Sequence, residues 1–207
     1  MAKVFGSFKT GVRAAFDPLG RALVRAGISP DVVTLIGGLG VVAVSVALVP
    51  RGHLVAATIA ITVLCLFDVV DGSMARVSGR TTRFGALLDS SLDRIADGAL
   101  FGSLAYWLLV TDRRLLAGVT LVCLVGGQLV SYVKARAEGL GFKCDVGIAE
   151  RMERLIIVGV GGLSTIVVTW GLPLVLWVLA VLTVITVIQR LLYVRRQEQR
   201  ATQGSVR

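Results

Sequence analysis

The stretch DVVDGSMAR (residues 68–76), followed after eight residues by GALLDSSLD (residues 85–93), decides how this chain is read. Four carboxylates, Asp68, Asp71, Asp89 and Asp93, sit inside otherwise apolar segments. Negative charge in a membrane segment is costly, and ionisable residues placed there mark functional sites. Asp68 and Asp71 are three residues apart, Asp89 and Asp93 four apart. Both intervals put the side chains on one helix face. Four converging carboxylates repel one another unless cations neutralise them. Carboxylate-only ligands favour hard cations, so the stretch predicts Mg²⁺, or else Mn²⁺, rather than zinc. Two ions match four carboxylates, and such pairs clamp the attacking and leaving oxygens in phosphoryl transfer.

The rest of the chain supplies the apolar setting. Of its 207 residues 55% are hydrophobic, and the mean hydropathy is +0.82. Repeated apolar runs near twenty residues long point to an integral membrane protein. Ser29-Pro30-Asp31 reads as a helix start, with Ser29 as cap and Pro in the first turn. Pro50-Arg51-Gly52 and Gly171-Leu172-Pro173 read as breaks. The expected fold is all-α, with six transmembrane helices at about 31–49, 54–74, 85–110, 115–135, 155–170 and 174–194. An N-terminal amphipathic helix within residues 1–28 is expected to lie on the membrane surface. Residues 29–196 form the membrane domain, and 197–207 a polar cytoplasmic tail.

The formal net charge of +9 does not point to nucleic acid, because the cations fall in the connections between apolar runs. Eighteen Lys and Arg collect on the side of both termini and three on the other. The positive-inside rule then places both termini, and the carboxylates near them, at the cytoplasmic side of a cell membrane. Cys65, Cys123 and Cys144 form no CxxC pair, so neither zinc nor a disulfide framework is expected. The N-terminus lacks a cleavable signal pattern.

With Asp68, Asp71, Gly72, Ala75, Arg76, Gly85, Asp89 and Asp93, the stretch resembles the signature of the CDP-alcohol phosphotransferase family, without departure over twenty-six residues. The resemblance implies attack of an alcohol on a CDP-activated lipid, CDP-diacylglycerol, with CMP as leaving group. It implies Asp68, Asp71 and Asp89 as metal ligands, and Asp93 as the catalytic base that also touches metal. Gly72, Ala75, Arg76 and Gly85 are expected at the CDP-lipid, with Asp31 and Thr34 from the start of the first span. The simpler reading of Asp31 is complementation of the helix N-terminus. Asp97 continues the 85–89–93 register one turn deeper and is expected to be structural. The resemblance also implies a homodimer.

The acceptor is read from SYVKARAEGLGF (131–142) and CDVGIAERMERLII (144–157). These segments resemble the phosphatidylinositol phosphate synthase branch of the family, which takes inositol phosphate. A phosphate monoester needs fixed cations near the membrane surface. By resemblance Ser131, Lys134, Arg154 and Arg195 are expected to bind it, with Arg136 a weaker candidate. The simpler reading is that these cations only anchor the cytoplasmic side. Three other functions fit less well: glycerol 3-phosphate as acceptor within the family, cation transport, and a non-catalytic lipid scaffold. His53 falls on the outer side and takes no part.

Overall fold

Residues 18, 20–65, 70, 72–74 and 82–205 are described by the computed structural model, and among them there is no strand. Pro30 opens α1 (Pro30–Leu48) at a position whose N–H has no helical partner to lose. Ser29 stands at the cap with extended backbone, but its side chain makes no capping hydrogen bond, contrary to expectation. The helix leaves through a single 3₁₀ turn, Val49–Arg51, into Gly52 at φ +77°. Then follow α2 (Leu54–Cys65), α3 (Arg83–Val110), α4 (Arg114–Gly139), α5 (Arg151–Ser164) and α6 (Gly171–Ser205).

Among the described residues, three helical spans are long and apolar enough to cross a membrane: Pro30–Arg51, Arg114–Gly139 and Gly171–Arg200. The first, 22 residues, extends about 33 Å at 1.5 Å per residue. Large apolar side chains line their outer faces, among them Ile36 and Leu39, Val122 and Val125, and Val181 and Ile188. Such continuous exposed apolar faces suit lipid rather than water. The helix α3 has 28 residues, but five charged residues between Arg83 and Asp97 lower its hydropathy. The shorter α2 and α5 have 12 and 14 residues.

Several helix ends differ from the sequence reading; α4, for one, runs on to Gly139 rather than 135. The helix α5 runs over 151–164 rather than 155–170. The Ser164 and Thr165 hydroxyls donate to the Gly161 and Gly162 carbonyls at 2.7 and 2.6 Å. The run Thr165-Ile166-Val167-Val168-Thr169 that follows is β-branched throughout and disfavours helix. At the other end, α6 continues through the polar residues after Val194 as far as Ser205. Gln, Glu and Arg dominate that stretch, all good helix formers, with no Pro to stop it.

The chain forms two compact units, Met1–Val49 with Ile59–Leu100, and Pro50–Thr58 with Phe101–Arg207. In the first, glycines set the packing of α1. A side chain at Gly38 would meet Leu92 Cβ at 3.0 Å, and one at Gly40 would meet Leu64 Cδ2 at 2.9 Å. Residues 20–25 are helical, with Arg21 and Arg25 exposed, while Leu23 and Val24 pack on Val33, Val70 and Met74. The remainder of the expected interfacial helix lies outside the described residues.

In the second unit, α4 and α5 pack along α6. Gly126 admits Thr183, and Gly161 admits Leu172 and Val175. Gly162 faces Thr58 of α2. The small residues of α5 therefore serve packing within the chain.

Candidate functional site

The first unit carries the described half of the aspartate motif. Thr82 caps α3: its Oγ1 accepts from the N–H of Gly85 at 2.9 Å. Downstream the acid register climbs from surface to interior. Asp89 is exposed, Asp93 is half-buried, and Asp97 is only 4% exposed. The Arg94 guanidinium lies 3.8 Å from Asp93 Oδ2, a charge contact beyond hydrogen-bond range.

Asp89 and Asp93 offer oxygen donors one helical turn apart, the donor chemistry of a hard divalent cation. Asp68 and Asp71, the other two expected ligands, lie outside the described residues, as do Ala75 and Arg76. Among the described residues no group of three or more His, Cys, Asp or Glu converges on one point. The described donors thus fit Mg²⁺ or Mn²⁺ in kind.

Two expected CDP-lipid residues are brought together. Asp31, half-buried in the first turn of α1, sets its Oδ1 against Gly85, 2.9 Å from where a Cβ would stand. Thr34 is buried one turn further along, and its hydroxyl donates to the Pro30 carbonyl at 3.1 Å. Gly72 is helical and half-buried.

The second unit holds the cations. Residues 140–150 form an irregular strap between α4 and α5. One face of α6 grips it. The Ile148 and Ala149 N–H groups donate to Thr186 Oγ1 at 3.3 and 3.1 Å. Arg190 Nε donates to the Val146 carbonyl at 2.7 Å. Gln197 exchanges two bonds with the Lys143 backbone. Gly147, at φ +144°, permits this approach, because a side chain there would strike Thr186 Cγ2 at 2.7 Å.

Three cations from three helices meet this strap. Lys134 Nζ of α4 pairs with Asp145 Oδ1 at 2.7 Å and lies 3.7 Å from Glu138. That hydrogen bond holds the Asp145 carboxyl below the usual carboxylate range. Arg154 of α5 is 1% exposed, and its Nη1 donates to the Ala149 carbonyl at 3.3 Å. Gly127 of α4 leaves its guanidinium room, since a Cβ there would lie 3.1 Å from Nε. Arg190 of α6 is 2% exposed, and it bonds the Val130 carbonyl and Glu150 Oε1, the latter at 2.9 Å.

Of the expected acceptor residues, the half-buried Ser131 follows Val130 on α4, and Lys134 and Arg154 border the strap. Arg195 is exposed on α6, beyond the buried Arg190. Sequence reading passed over Arg190 as one of several C-terminal cations. Its signal was the spacing Thr183, Thr186, Arg190, a polar stripe in an apolar helix.

Residues 27–192 match the sequence pattern of CDP-alcohol phosphatidyltransferases. The chain belongs to the CDP-alcohol phosphatidyltransferase family. Among the relatives of this family member, the phosphatidylinositol phosphate synthase of Mycobacterium marinum is 49% identical over 188 residues, 86% of this chain and 80% of that one. That of Streptomyces avermitilis is 44% identical over 198 residues, 89% of this chain and 79% of that one. The Mycobacterium tuberculosis phosphatidylinositol phosphate synthase with CDP-DAG bound superposes with a TM-score of 0.83 at 46% identity, covering 86% of this chain and 92% of that one. The same protein in complex with manganese and citrate gives 0.82, again at 46% identity, covering 86% and 88%.

Proposed function

We propose that this family member transfers the phosphatidyl group of CDP-diacylglycerol to inositol phosphate, giving phosphatidylinositol phosphate and CMP. The observation that carries the acceptor half is the meeting of Lys134, Arg154 and Arg190 at one strap. Fixed, buried guanidinium groups suit a phosphate monoester and have no task with a neutral polyol. Relatives named phosphatidylinositol phosphate synthase at 44–49% identity support the same reading.

In this reading the acceptor hydroxyl oxygen bonds to the lipid-bearing phosphorus as the bond to CMP breaks. Asp93 takes the hydroxyl proton; its half-buried position keeps it reachable and partly desolvated. Asp68, Asp71, Asp89 and Asp93 would hold two divalent cations, Mg²⁺ or Mn²⁺, which neutralise pyrophosphate oxygens when bound. Asp31, Thr34, Gly72, Ala75, Arg76 and Gly85 receive the CDP-lipid, with Gly85 leaving space beside the Asp31 carboxylate. Ser131, Lys134, Arg154 and the newly identified Arg190 hold the acceptor, and Arg195 adds an outer charge.

The proposed setting is a cell membrane crossed six times, with the N-terminal interfacial helix in residues 1–28, both termini cytoplasmic, and a homodimeric assembly. The test is CMP release in vesicles containing CDP-diacylglycerol and inositol phosphate. Asp93→Asn should lower kcat by about 10²–10⁴-fold, and a divalent chelator should abolish turnover. Cation flux without CMP release would instead mean a transporter.

A further inference from the structure

Two of the strap cations, Lys134 and Arg190, already carry carboxylates. Asp145 sits on Lys134 at 2.7 Å, and Glu150 sits on Arg190 at 2.9 Å. The burial is lopsided. The Lys134 and Arg190 side chains are 34% and 2% exposed, whereas those of Asp145 and Glu150 are 76% and 48% exposed. The cations therefore form the floor, and the acids cover them from the open side.

The bonds that fasten the strap do not depend on those acids. Thr186, Gln197 and the Arg190 Nε hold backbone groups of Lys143, Val146, Ile148 and Ala149. Arg190 also keeps the Val130 carbonyl. Either carboxylate can swing away while its cation and the strap backbone remain in place.

We propose that Asp145 and Glu150 are resident counter-anions whose places the acceptor's phosphate takes, making them specificity-determining residues. The inference rests on the acceptor reading given above. A phosphate dianion offers three oxygens and outcompetes the Glu150 carboxylate on Arg190 and the Asp145 carboxylate on Lys134, beside which Glu138 remains at 3.7 Å. A neutral polyol offers no charge to exchange and leaves both pairs closed. Selectivity thus comes from an opposing element as well as from attraction. The acids lower the affinity for every anion, so that only one which also satisfies the rest of the site binds well.

The test uses the full-length protein in lipid vesicles with CDP-diacylglycerol. KM and kcat for inositol phosphate are measured for the wild type, Asp145→Asn, Asp145→Glu and Glu150→Gln. Inhibition and thermal shift by inorganic phosphate are measured in parallel. Removing an exposed counter-anion should lower KM about two- to fivefold for Asp145→Asn. The change should be larger, toward tenfold, for Glu150→Gln, whose cation is buried. Both changes should be carried by KM and matched by tighter inorganic phosphate, and Asp145→Glu should keep the wild-type value.

An unchanged or raised KM in both Asn and Gln variants would overturn the proposal, as would an unaltered response to inorganic phosphate. A purely structural role would lower the melting temperature without tightening phosphate. Should the wild type not use inositol phosphate at all, the function reading fails. The phosphate thermal shifts would still decide the exchange.

Discussion

The carboxylate of Asp31 occupies the space in which a side chain at Gly85 would begin: a methyl group there would lie 2.9 Å from Oδ1 and 3.0 Å from Thr82 Oγ1. The starts of α1 and α3 are thereby locked together, and only glycine fits. Gly85→Ala should cost about 1–3 kcal/mol of stability. It should also raise KM for the CDP-lipid. In a double-mutant cycle read by thermal melting, Asp31→Ala should recover part of that loss. Strictly additive effects would show that Asp31 is not the obstacle.

Arg154 is a buried cation fitted into the space left by Gly127 and tied to the Ala149 carbonyl. Gly127→Val should push the guanidinium aside and mimic Arg154→Met. Both variants should lose about 30-fold or more in kcat/KM for a phosphorylated acceptor, the cost of truncating one partner of a buried charged pair. Steady-state kinetics at varied acceptor concentration, with circular dichroism to confirm folding, checks this.

The Lys134–Asp145 tether carries a pH signature. The Asp145 pKa is lowered by its hydrogen bond to Lys134. Its stabilisation is therefore complete above the ordinary aspartate value, about 4, and is lost as pH falls through the lowered folded value. The Asp145 carboxyl signal in NMR should therefore titrate with a midpoint below the ordinary aspartate value. In Lys134→Met the midpoint should return to it, while hydrogen exchange of strap residues 143–149 stays unaltered in both proteins.

Cys144 is fully buried within the strap, and burial pushes its thiol pKa up. The thiolate is the reactive form, so alkylation near neutral pH should be slow in the folded protein. Mass spectrometry after iodoacetamide treatment should find Cys144 unlabelled until the strap opens or the protein unfolds. Rapid labelling of the native protein would show that the strap is loose.

Much of this was legible in the chain itself. The aspartate spacing, the break at Pro50–Gly52 and the start at Pro30 depend on neighbours within a few residues, and local patterns report local geometry. Asp97 was placed inside because its register ran one turn past Asp93, and it is 4% exposed. The strap was not legible. Its partners Thr186, Arg190 and Gln197 stand 37 to 60 residues away from the groups they bind. Bonds at that separation leave no periodicity. Arg190 resembled its neighbours Arg195 and Arg196, and only packing distinguishes a buried guanidinium from an anchoring one. The early end of α5 arose from competition between an apolar run that favoured continuation and a β-branched run that stopped it.

The central claim is that a CDP-lipid is joined to a phosphorylated inositol. It is tested most directly by CMP release from CDP-diacylglycerol with inositol phosphate, free inositol and glycerol 3-phosphate assayed side by side, with and without Mg²⁺. The account predicts Mg²⁺-dependent release with inositol phosphate and far less with the other two. Release with glycerol 3-phosphate but not with inositol phosphate would contradict it.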